Sequence, residues 1–431
     1  MQSHVLKTTA ENEDTPDVLD VPATHDESST TGAPPLQPRA LIPIFLIIAA
    51  DTMGLGILLP LLPFYTVRTG ASAIAVGALI STYAFCSFLA APLLGQLSDR
   101  YGRKPILILS QIGSLLGYVL FALSNSLWLL FVARTIDGLS AGNMSVAQAY
   151  VSDKTSASDR TRAFGITGAA FGLGLLLGPA IGGVLAARSL RAPLWVAAGL
   201  SALSIVCTAV LLPKGTSTVV AGSKQSIVPM RAMLQTFRTP ESGRLAWLMT
   251  CFYFAFGTYM SGQALFLAGR FWWHGHRFGA ENVGLVFTYG GLLNVLVQAL
   301  LMKHLTKRFT EKSILIAGFL LMGFGLVGIG VSSSITVLIC FLTISNLGSA
   351  VLRPVILSQL SKRVSASKQG LVMGVNQAIF STTAILSPLL SGTLISRGLY
   401  TSWAWTAAGV VFIGSFVAFA LKPQTTVALQ S

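Results

Sequence analysis

Residues 40–421 consist of twelve apolar runs separated by short polar connections. A helix of about 20 apolar residues is long enough to cross the hydrocarbon core of a bilayer, which is about 30 Å thick. Every backbone amide inside lipid needs an internal partner, which leaves helices and closed barrels, and a barrel would require alternating segments of about ten residues. We therefore predict twelve membrane-spanning helices, at 40–64, 73–94, 105–124, 127–151, 163–186, 193–212, 245–268, 282–302, 313–331, 335–359, 370–395 and 402–421.

The charge content excludes a water-soluble enzyme. Only 10% of the 431 residues are charged, whereas soluble proteins carry about 25%. The sequence contains no Gly-rich phosphate-binding loop that continues into Lys-Ser/Thr, so nothing supports ATP-driven chemistry. His274 and His276 are two potential ligands, too few to complete a metal site. We expect no enzymatic activity, no cofactor and no metal.

The basic residues are distributed in a way that suits a membrane surface rather than a nucleic acid. Residues 1–39 hold seven acidic and two basic residues, and we interpret them as a disordered acidic tail. The remainder has 27 basic and 8 acidic residues, and most of the basic ones lie in the short connections. The even-numbered connections contain 18 Lys and Arg residues and the odd-numbered ones 6. Positive connections stay inside, so both termini are predicted to be cytoplasmic.

The longest connection, residues 213–243, divides the chain into two halves, 40–212 and 244–421, followed by a cytoplasmic tail at 422–431. A shift of 209 residues places Pro179 on Pro388 and Gly183 on Gly392. This weak repeat predicts two parallel six-helix bundles, which is one design of secondary transporters.

Two motifs carry a family resemblance. The connection between spans 2 and 3 combines glycines that permit a tight turn with an acid and several bases, and it resembles the signature loop of the major facilitator superfamily. Span 5 combines small residues that allow close helix approach with a proline, and it resembles the antiporter motif of that superfamily's twelve-span drug:proton exporters. The predicted gating residues are Gly95, Asp99, Arg100, Gly102, Arg103, Gly174, Gly178, Pro179, Gly182 and Gly183.

Spans 1 and 4 extend the resemblance to tetracycline-exporter-like and fungal efflux carriers, through Asp51 to Pro60 and through Arg134, Asp137 and Gly138. The resemblance implies an all-α membrane protein with twelve transmembrane helices in two six-helix pseudo-repeat bundles. The second-half counterpart of the signature loop lacks the glycines and has Lys307 in place of the acid. Bacterial tetracycline carriers have an acid in span 3, where this sequence reads Leu116-Gly117-Tyr118, so tetracycline is not the expected substrate.

Four charged residues lie well inside the predicted spans: Asp51, Arg134, Asp137 and Arg353. Each costs about 2.5–3.5 kcal/mol at the centre of a helix on insertion scales, so such residues are functional candidates that face a cavity. We predict that Asp51, Asp137 and Arg134 couple transport to protons. As an alternative, Arg134 and Asp137 form a permanent ion pair that fixes helix packing. Arg353 either binds substrate or extends to the cytoplasmic surface.

Polar side chains in apolar surroundings suit an amphipathic small molecule. The predicted substrate-binding residues are Arg353, Asn143, Gln148, Tyr259, Gln263, Asn294, Gln298, Asn376 and Gln377. The sequence therefore predicts a monomeric exporter of a small organic molecule, driven by proton exchange, in the plasma membrane, with a vacuolar or other internal membrane as the alternative. Two alternatives stay open: an exporter of a metabolic organic acid, and a membrane receptor that binds a ligand without moving it.

Overall fold

The computed structural model describes residues 38–154, 160–212, 240–362 and 369–421. Most of the predicted acidic tail, most of the linker and the C-terminal tail lie outside these residues. The described residues form fourteen α-helices and one short hairpin. The helices are α1 Pro38–Arg68, α2 Ala73–Tyr101, α3 Arg103–Leu123, α4 Leu127–Leu139, α5 Asn143–Lys154, α6 Arg160–Ala186, α7 Ala192–Leu211, α8 Pro240–Arg270, α9 Ala280–Leu296, α10 Met302–Arg308, α11 Glu311–Val331, α12 Ile335–Lys362, α13 Gln369–Ser396 and α14 Tyr400–Phe419.

Ten spans of the described chain are long and apolar enough to cross a membrane. One of them combines α9, a π-helical turn at Val297–Leu301 and α10. The two remaining predicted spans are also helical. Span 7 is α8, which has 31 residues but is less apolar, because Thr250, Thr258, Ser261 and Gln263 lie along it. Span 4 is divided between α4 and α5.

The prediction of one continuous helix over 127–151 is wrong. The helix begins at Leu127, where the Ser126 hydroxyl accepts a hydrogen bond from the Leu129 amide, and α4 ends at Leu139. After three intervening residues, α5 begins at Asn143. At the break, a methyl group on Gly142 would lie 2.6 Å from Leu94 Cδ1. Close packing against α2 therefore accompanies the interruption.

The signature segment is also more helical than the sequence predicts. α2 continues to Tyr101 and α3 begins at Arg103, so Gly102 alone separates the two helices. Its φ of 95° lies in the region that favours glycine. Gly95 lies inside α2 and forms no turn, so the expectation that both glycines contribute to the turn is wrong for Gly95. Asp99 contacts the first residue of α3, with Asp99 Oδ1 2.5 Å from Arg103 Nη1.

The N-terminal half comprises α1–α7 and the C-terminal half α8–α14. In the N-terminal half, α1 packs on α6 and α7, α3 packs on α7, and α2 and α3 pack on α4. In the C-terminal half, α11 packs on α12 and α14, and α8 packs on α13 and α14. Each half has its own apolar core, around Phe121 and Leu61 in the first and around Phe319 and Trp403 in the second. The predicted two-bundle fold is confirmed.

Matching contacts at equivalent positions show that the halves repeat one design. Lys104 Nζ donates to the Leu212 carbonyl at 2.6 Å, and 208 residues later Lys312 Nζ donates to the Leu421 carbonyl at 2.6 Å. In each half this contact ties the start of the third span to the end of the sixth.

The halves contact each other mainly at one end of the bundle, where α2 and α9 begin. There α2 packs on α13 and α6 packs on α9. A Cβ on Gly183 would lie 3.0 Å from the Gly284 Cα, and a Cβ on Gly77 would overlap the carbonyl oxygen of Pro388. Main chain therefore meets main chain at this end, which we call the closed end.

Toward the opposite end, one face of α6 has no close neighbour among the described residues. The face of α6 that packs on α9 through Gly183 continues through Gly172, Gly168 and Gly165. Within the described residues, no atom lies within 4 Å of a Cβ placed on any of these three glycines. This end, where α2 meets α3, is the open end.

We predict that Gly178→Ala destabilises the protein. A Cβ at this position would lie 2.7 Å from the Met53 carbonyl oxygen and 2.8 Å from the Gly56 Cα, both backbone atoms of α1. Overpacking of this kind typically costs about 1–3 kcal/mol, so the melting temperature of the purified protein should fall. The control is Gly168→Ala on the same helix, whose Cβ meets open space and whose melting temperature should be unchanged or higher. Equal melting temperatures would contradict the close contact between α1 and α6.

Candidate functional site

Two of the four predicted intramembrane charges form an ion pair inside the N-terminal half. Arg134 Nη2 lies 2.9 Å from Asp137 Oδ2 on α4, and the two residues are 3% and 4% exposed. The guanidinium carbon of Arg134 is 5.2 Å from the centre of the Phe121 ring and 5.4 Å from that of Tyr83. Aromatic faces and one carboxylate thus surround the cation.

The ion pair is almost completely buried, whereas the sequence predicts that both charges face a cavity. Asp137 packs against α3, where a Cβ on Gly117 would lie 2.8 Å from the Asp137 Cβ. Because the helix breaks after Leu139, Gln148 on α5 does not continue the face of α4, and its side chain is exposed. A narrow, largely apolar cavity borders Arg134, lined by Leu55, Leu58, Leu59, Leu62, Ile80 and Tyr83.

Asp51 occupies the centre of the same half without a charged partner. It lies on α1, close to Asn143 of α5 and Ser204 of α7. Its Oδ2 is buried and has no hydrogen-bond partner among the described residues. Ser204 is itself held by Gln111 of α3, whose Nε2 donates to the Ser204 hydroxyl at 2.9 Å. The groups that hydrogen-bond to Asp51 are therefore neutral, and the charge that also acts on it is the Asp137 carboxylate, which has the same sign.

The antiporter motif brings α6 against the turn of α1 that carries Asp51. A Cβ on Gly174 would lie 2.6 Å from the Thr52 Cβ, and one on Gly182 would lie 3.2 Å from the Ile57 Cα. Pro179 and Gly183 are near Gly284 of the other half. These residues lie between the centre of the N-terminal half and the closed end, whereas Gly95, Asp99, Arg100, Gly102 and Arg103 lie at the open end.

Arg353 lies between the two halves. It belongs to α12, its side chain is exposed, and its guanidinium carbon is 5.9 Å from the centre of the Phe171 ring on α6. It also interacts with the Tyr253 hydroxyl of α8, which donates to Asn376 Oδ1 of α13 at 2.9 Å. The contacts around Arg353 thus involve four helices: α6 of the N-terminal half, and α8, α12 and α13 of the C-terminal half. Tyr253 is not among the substrate-binding residues that the sequence predicts.

The other predicted substrate residues are not gathered into one site. Tyr259 and Gln263 are buried inside the C-terminal half, near Asn346 and Trp403. Asn143 is buried beside Asp51. Asn294 and Gln298 bond to each other at 2.6 Å around the start of the π-helical turn, and Gln377 is exposed on α13.

His274 lies at the tip of the hairpin formed by β1 Trp272–Trp273 and β2 His276–Arg277. Its φ is 49° and that of Gly275 is 81°, so both turn residues adopt left-handed conformations. Among the residues that the structure describes, no group of three or more His, Cys, Asp or Glu side chains could hold a metal.

Comparison with known proteins agrees with this architecture. The model of the family described as Major Facilitator Superfamily matches residues 44–301 and 271–430. The chain is 32% identical to the tetracycline resistance protein, class C, of Escherichia coli, over 87% of this chain and 95% of that protein. It is 26% identical to multidrug resistance protein 2 of Bacillus subtilis, over 86% and 92%.

Solved structures share the fold. The human organic anion transporter MFSD10 superposes with a TM-score of 0.66 at 24% identity, covering 89% of this chain and all of that one. The nucleoside transporter NupG superposes with a TM-score of 0.71 at 14% identity, with the same coverage.

We predict that Asp137→Asn lowers the melting temperature strongly, because it leaves the buried Arg134 cation unpaired. Removing one partner of a buried ion pair typically costs about 3–5 kcal/mol. The double variant Arg134→Gln with Asp137→Asn removes both charges and should recover a large part of the loss. Melting of the purified variants in detergent measures both effects. An equal loss in the single and double variants would show that the two charges are not energetically coupled.

Proposed function

The chain belongs to the major facilitator superfamily, and on that premise we propose that it exports a small organic molecule from the cytoplasm in exchange for protons. Its relatives include tetracycline and multidrug resistance proteins. The observation that carries the proton exchange is Asp51, a carboxyl group at the centre of one half with a buried oxygen that lacks a hydrogen-bond partner among the described residues.

The opening of the bundle supports alternating access. The halves meet through Gly183 and Gly284 at the closed end, whereas Gly172, Gly168 and Gly165 toward the open end have no described atom close to their Cβ positions. Under the topology that the Lys and Arg distribution predicts, the open end faces the cytoplasm. The structure then corresponds to an inward-open state, in which a cytoplasmic substrate has access to the space between the halves.

The electrostatics support Asp51 as the proton acceptor. Withdrawal from water favours the neutral form of a carboxyl group, whereas a neighbouring guanidinium favours the ionised form. Arg134 lies against Asp137, while Asp51 has the uncharged Asn143 and Ser204 beside it and the like charge of the Asp137 carboxylate nearby. A proton on Asp51 and a bound substrate would then favour different states, and this difference couples their movements.

The position of Asp137 supports a role for the ion pair in transport as well. The family resemblance implies a carboxyl group in span 3, at residues 116–118, which hold none. Gly117 faces Asp137 directly, with its Cβ position 2.8 Å from the Asp137 Cβ. We infer that span 4 provides the acid that related carriers hold on span 3, and that the acid is needed at this place whichever helix carries it.

We further propose that the chain works as a monomer in the plasma membrane. One chain contains both halves and the space between them. Export from the cell requires the plasma membrane, whereas the same exchange in an internal membrane would sequester the substrate.

Replacing Asp51 by Asn should abolish transport driven by a pH gradient while the protein still folds, because an amide has the shape of the carboxyl group and cannot exchange a proton. The measurement is flux of ethidium and tetracycline in proteoliposomes after a pH jump, together with the melting temperature. Glu281→Gln is the control, since Glu281 is exposed in the first turn of α9. Full pH-driven flux in Asp51→Asn would remove Asp51 from the mechanism. Ligand binding without any flux in the unmodified protein would favour a receptor.

The exchange of Gly117 and Asp137 tests the placement of the second acid. Asp137→Gly alone should lose pH-driven flux and stability, because Arg134 loses its carboxylate. The double variant Gly117→Asp with Asp137→Gly returns a carboxylate to the same space and should recover at least part of both. The same flux and melting measurements apply. No recovery in a double variant that is folded would contradict the idea that either helix can supply the acid.

A further inference from the structure

The C-terminal half holds one unbalanced positive charge within its spans. From residue 244 onward the sequence contains two acidic residues, Glu281 and Glu311, and both lie in the first turn of a helix. Arg353 lies within the span Ile335–Leu360, seven residues from its end. No carboxylate of the described residues lies within ion-pair distance of Arg353. Because an unmatched charge at this depth is costly, the site favours an anion.

The neighbours of Arg353 are hydrogen-bond donors. Arg353 interacts with the Tyr253 hydroxyl, and that hydroxyl donates to Asn376 Oδ1 at 2.9 Å. The amide nitrogen of Asn376 carries two N–H groups that can donate to a ligand. A guanidinium and an amide donor on adjacent helices suit a carboxylate, which accepts hydrogen bonds only and pairs with arginine through two parallel bonds.

The surroundings of these donors are aromatic. Phe171 of the N-terminal half lies 5.9 Å from the Arg353 guanidinium carbon, and Phe380 packs edge-on against Tyr253 at 5.3 Å. The site is therefore apolar around a small polar centre, which is the composition of pockets that hold amphipathic ligands. Since Arg353 and Phe171 belong to different halves, a ligand at this place touches both.

We propose that Arg353, with Asn376 as a second donor, forms the binding site for the carboxylate of an organic anion, and that the exported substrate belongs to this class. The inference rests on the proposed transport function and specifies its substrate. The acid that would accept the proton lies in one half and the cation that binds the substrate in the other. Proton and anion therefore occupy separate sites, and movement of the halves changes the environment of both.

Counterflow of radiolabelled benzoate and succinate in proteoliposomes tests the site, with ethidium as the cation for comparison. The unmodified protein should exchange at least one of the two carboxylates. Arg353→Gln should weaken that exchange at least about tenfold in apparent affinity, as expected for loss of a hydrogen bond to a charged group. The Arg353→Lys variant should have an apparent affinity between that of the unmodified protein and that of Arg353→Gln, because lysine keeps the charge but lacks the planar guanidinium. Arg397→Gln, an exposed arginine in the connection at the closed end, should leave carboxylate exchange unchanged.

The outcomes separate this inference from the proposed function. Exchange of neither benzoate nor succinate, or an Arg353→Gln variant with unchanged carboxylate affinity, would overturn the anion site. If ethidium is still moved by a pH gradient in that case, proton-driven export stands and the anion site alone fails. If no compound moves in response to a pH gradient, the proposed exchange fails, and carboxylate counterflow that depends on Arg353 would still establish the site. Melting temperatures confirm folding, since the exposed Arg353 side chain should contribute little to stability.

Discussion

Arg134 and Asp137 form an ion pair with each other, so neither of them neutralises the other charged residues within the spans. The pair is buried, closely contacted and flanked by aromatic rings, so its net charge is zero where water is excluded. Two charged groups remain within the spans, and they lie in opposite halves: Asp51 at the centre of the first and Arg353 at the edge of the second. A protein with two unmatched groups of opposite sign, set apart from each other, can bind a proton at one and an anion at the other.

The two halves share one helix arrangement and differ in the acidic side chains that they carry within it. The lysine contacts at Lys104 and Lys312 repeat, as does the packing of a glycine on the fourth span: Gly117 meets Asp137 in the first half, and Gly325 meets Ser345 in the second. The helices α1 and α8 each have 31 residues, and Asp51 occupies in α1 the position that Tyr253 occupies in α8. In the second half, hydroxyl groups therefore stand where the first half has acids. The charge asymmetry lies in side chains, while the helix arrangement is shared.

The spans were predictable from the sequence because the physical requirement is local. A segment in lipid must satisfy its own backbone, so hydropathy alone identifies it. The break in span 4 was not predictable, since Ser140 to Gly142 also fit a continuous helix, and the interruption goes with packing against α2 and α3. The Arg134 and Asp137 contact follows from a spacing of three residues. The association of Arg353 with Tyr253, Asn376 and Phe171 involves four helices, and spacing along any one of them carries no information about it. Tyr259 and Gln263 share a helix face with Phe252 and Phe256, yet neighbouring helices cover them completely.

The closed end has a mechanical consequence. Gly183 against Gly284 and Gly77 against Pro388 seal the space between the halves with backbone rather than with side chains. Such a seal has no rotamer that can flip to let water or ions through, so it can open only when whole helices slide or tilt. The barrier to that motion is shared with the surrounding lipid, which has to rearrange around the tilting helices. Bilayer thickness and lateral pressure then act directly on the motion of the two halves.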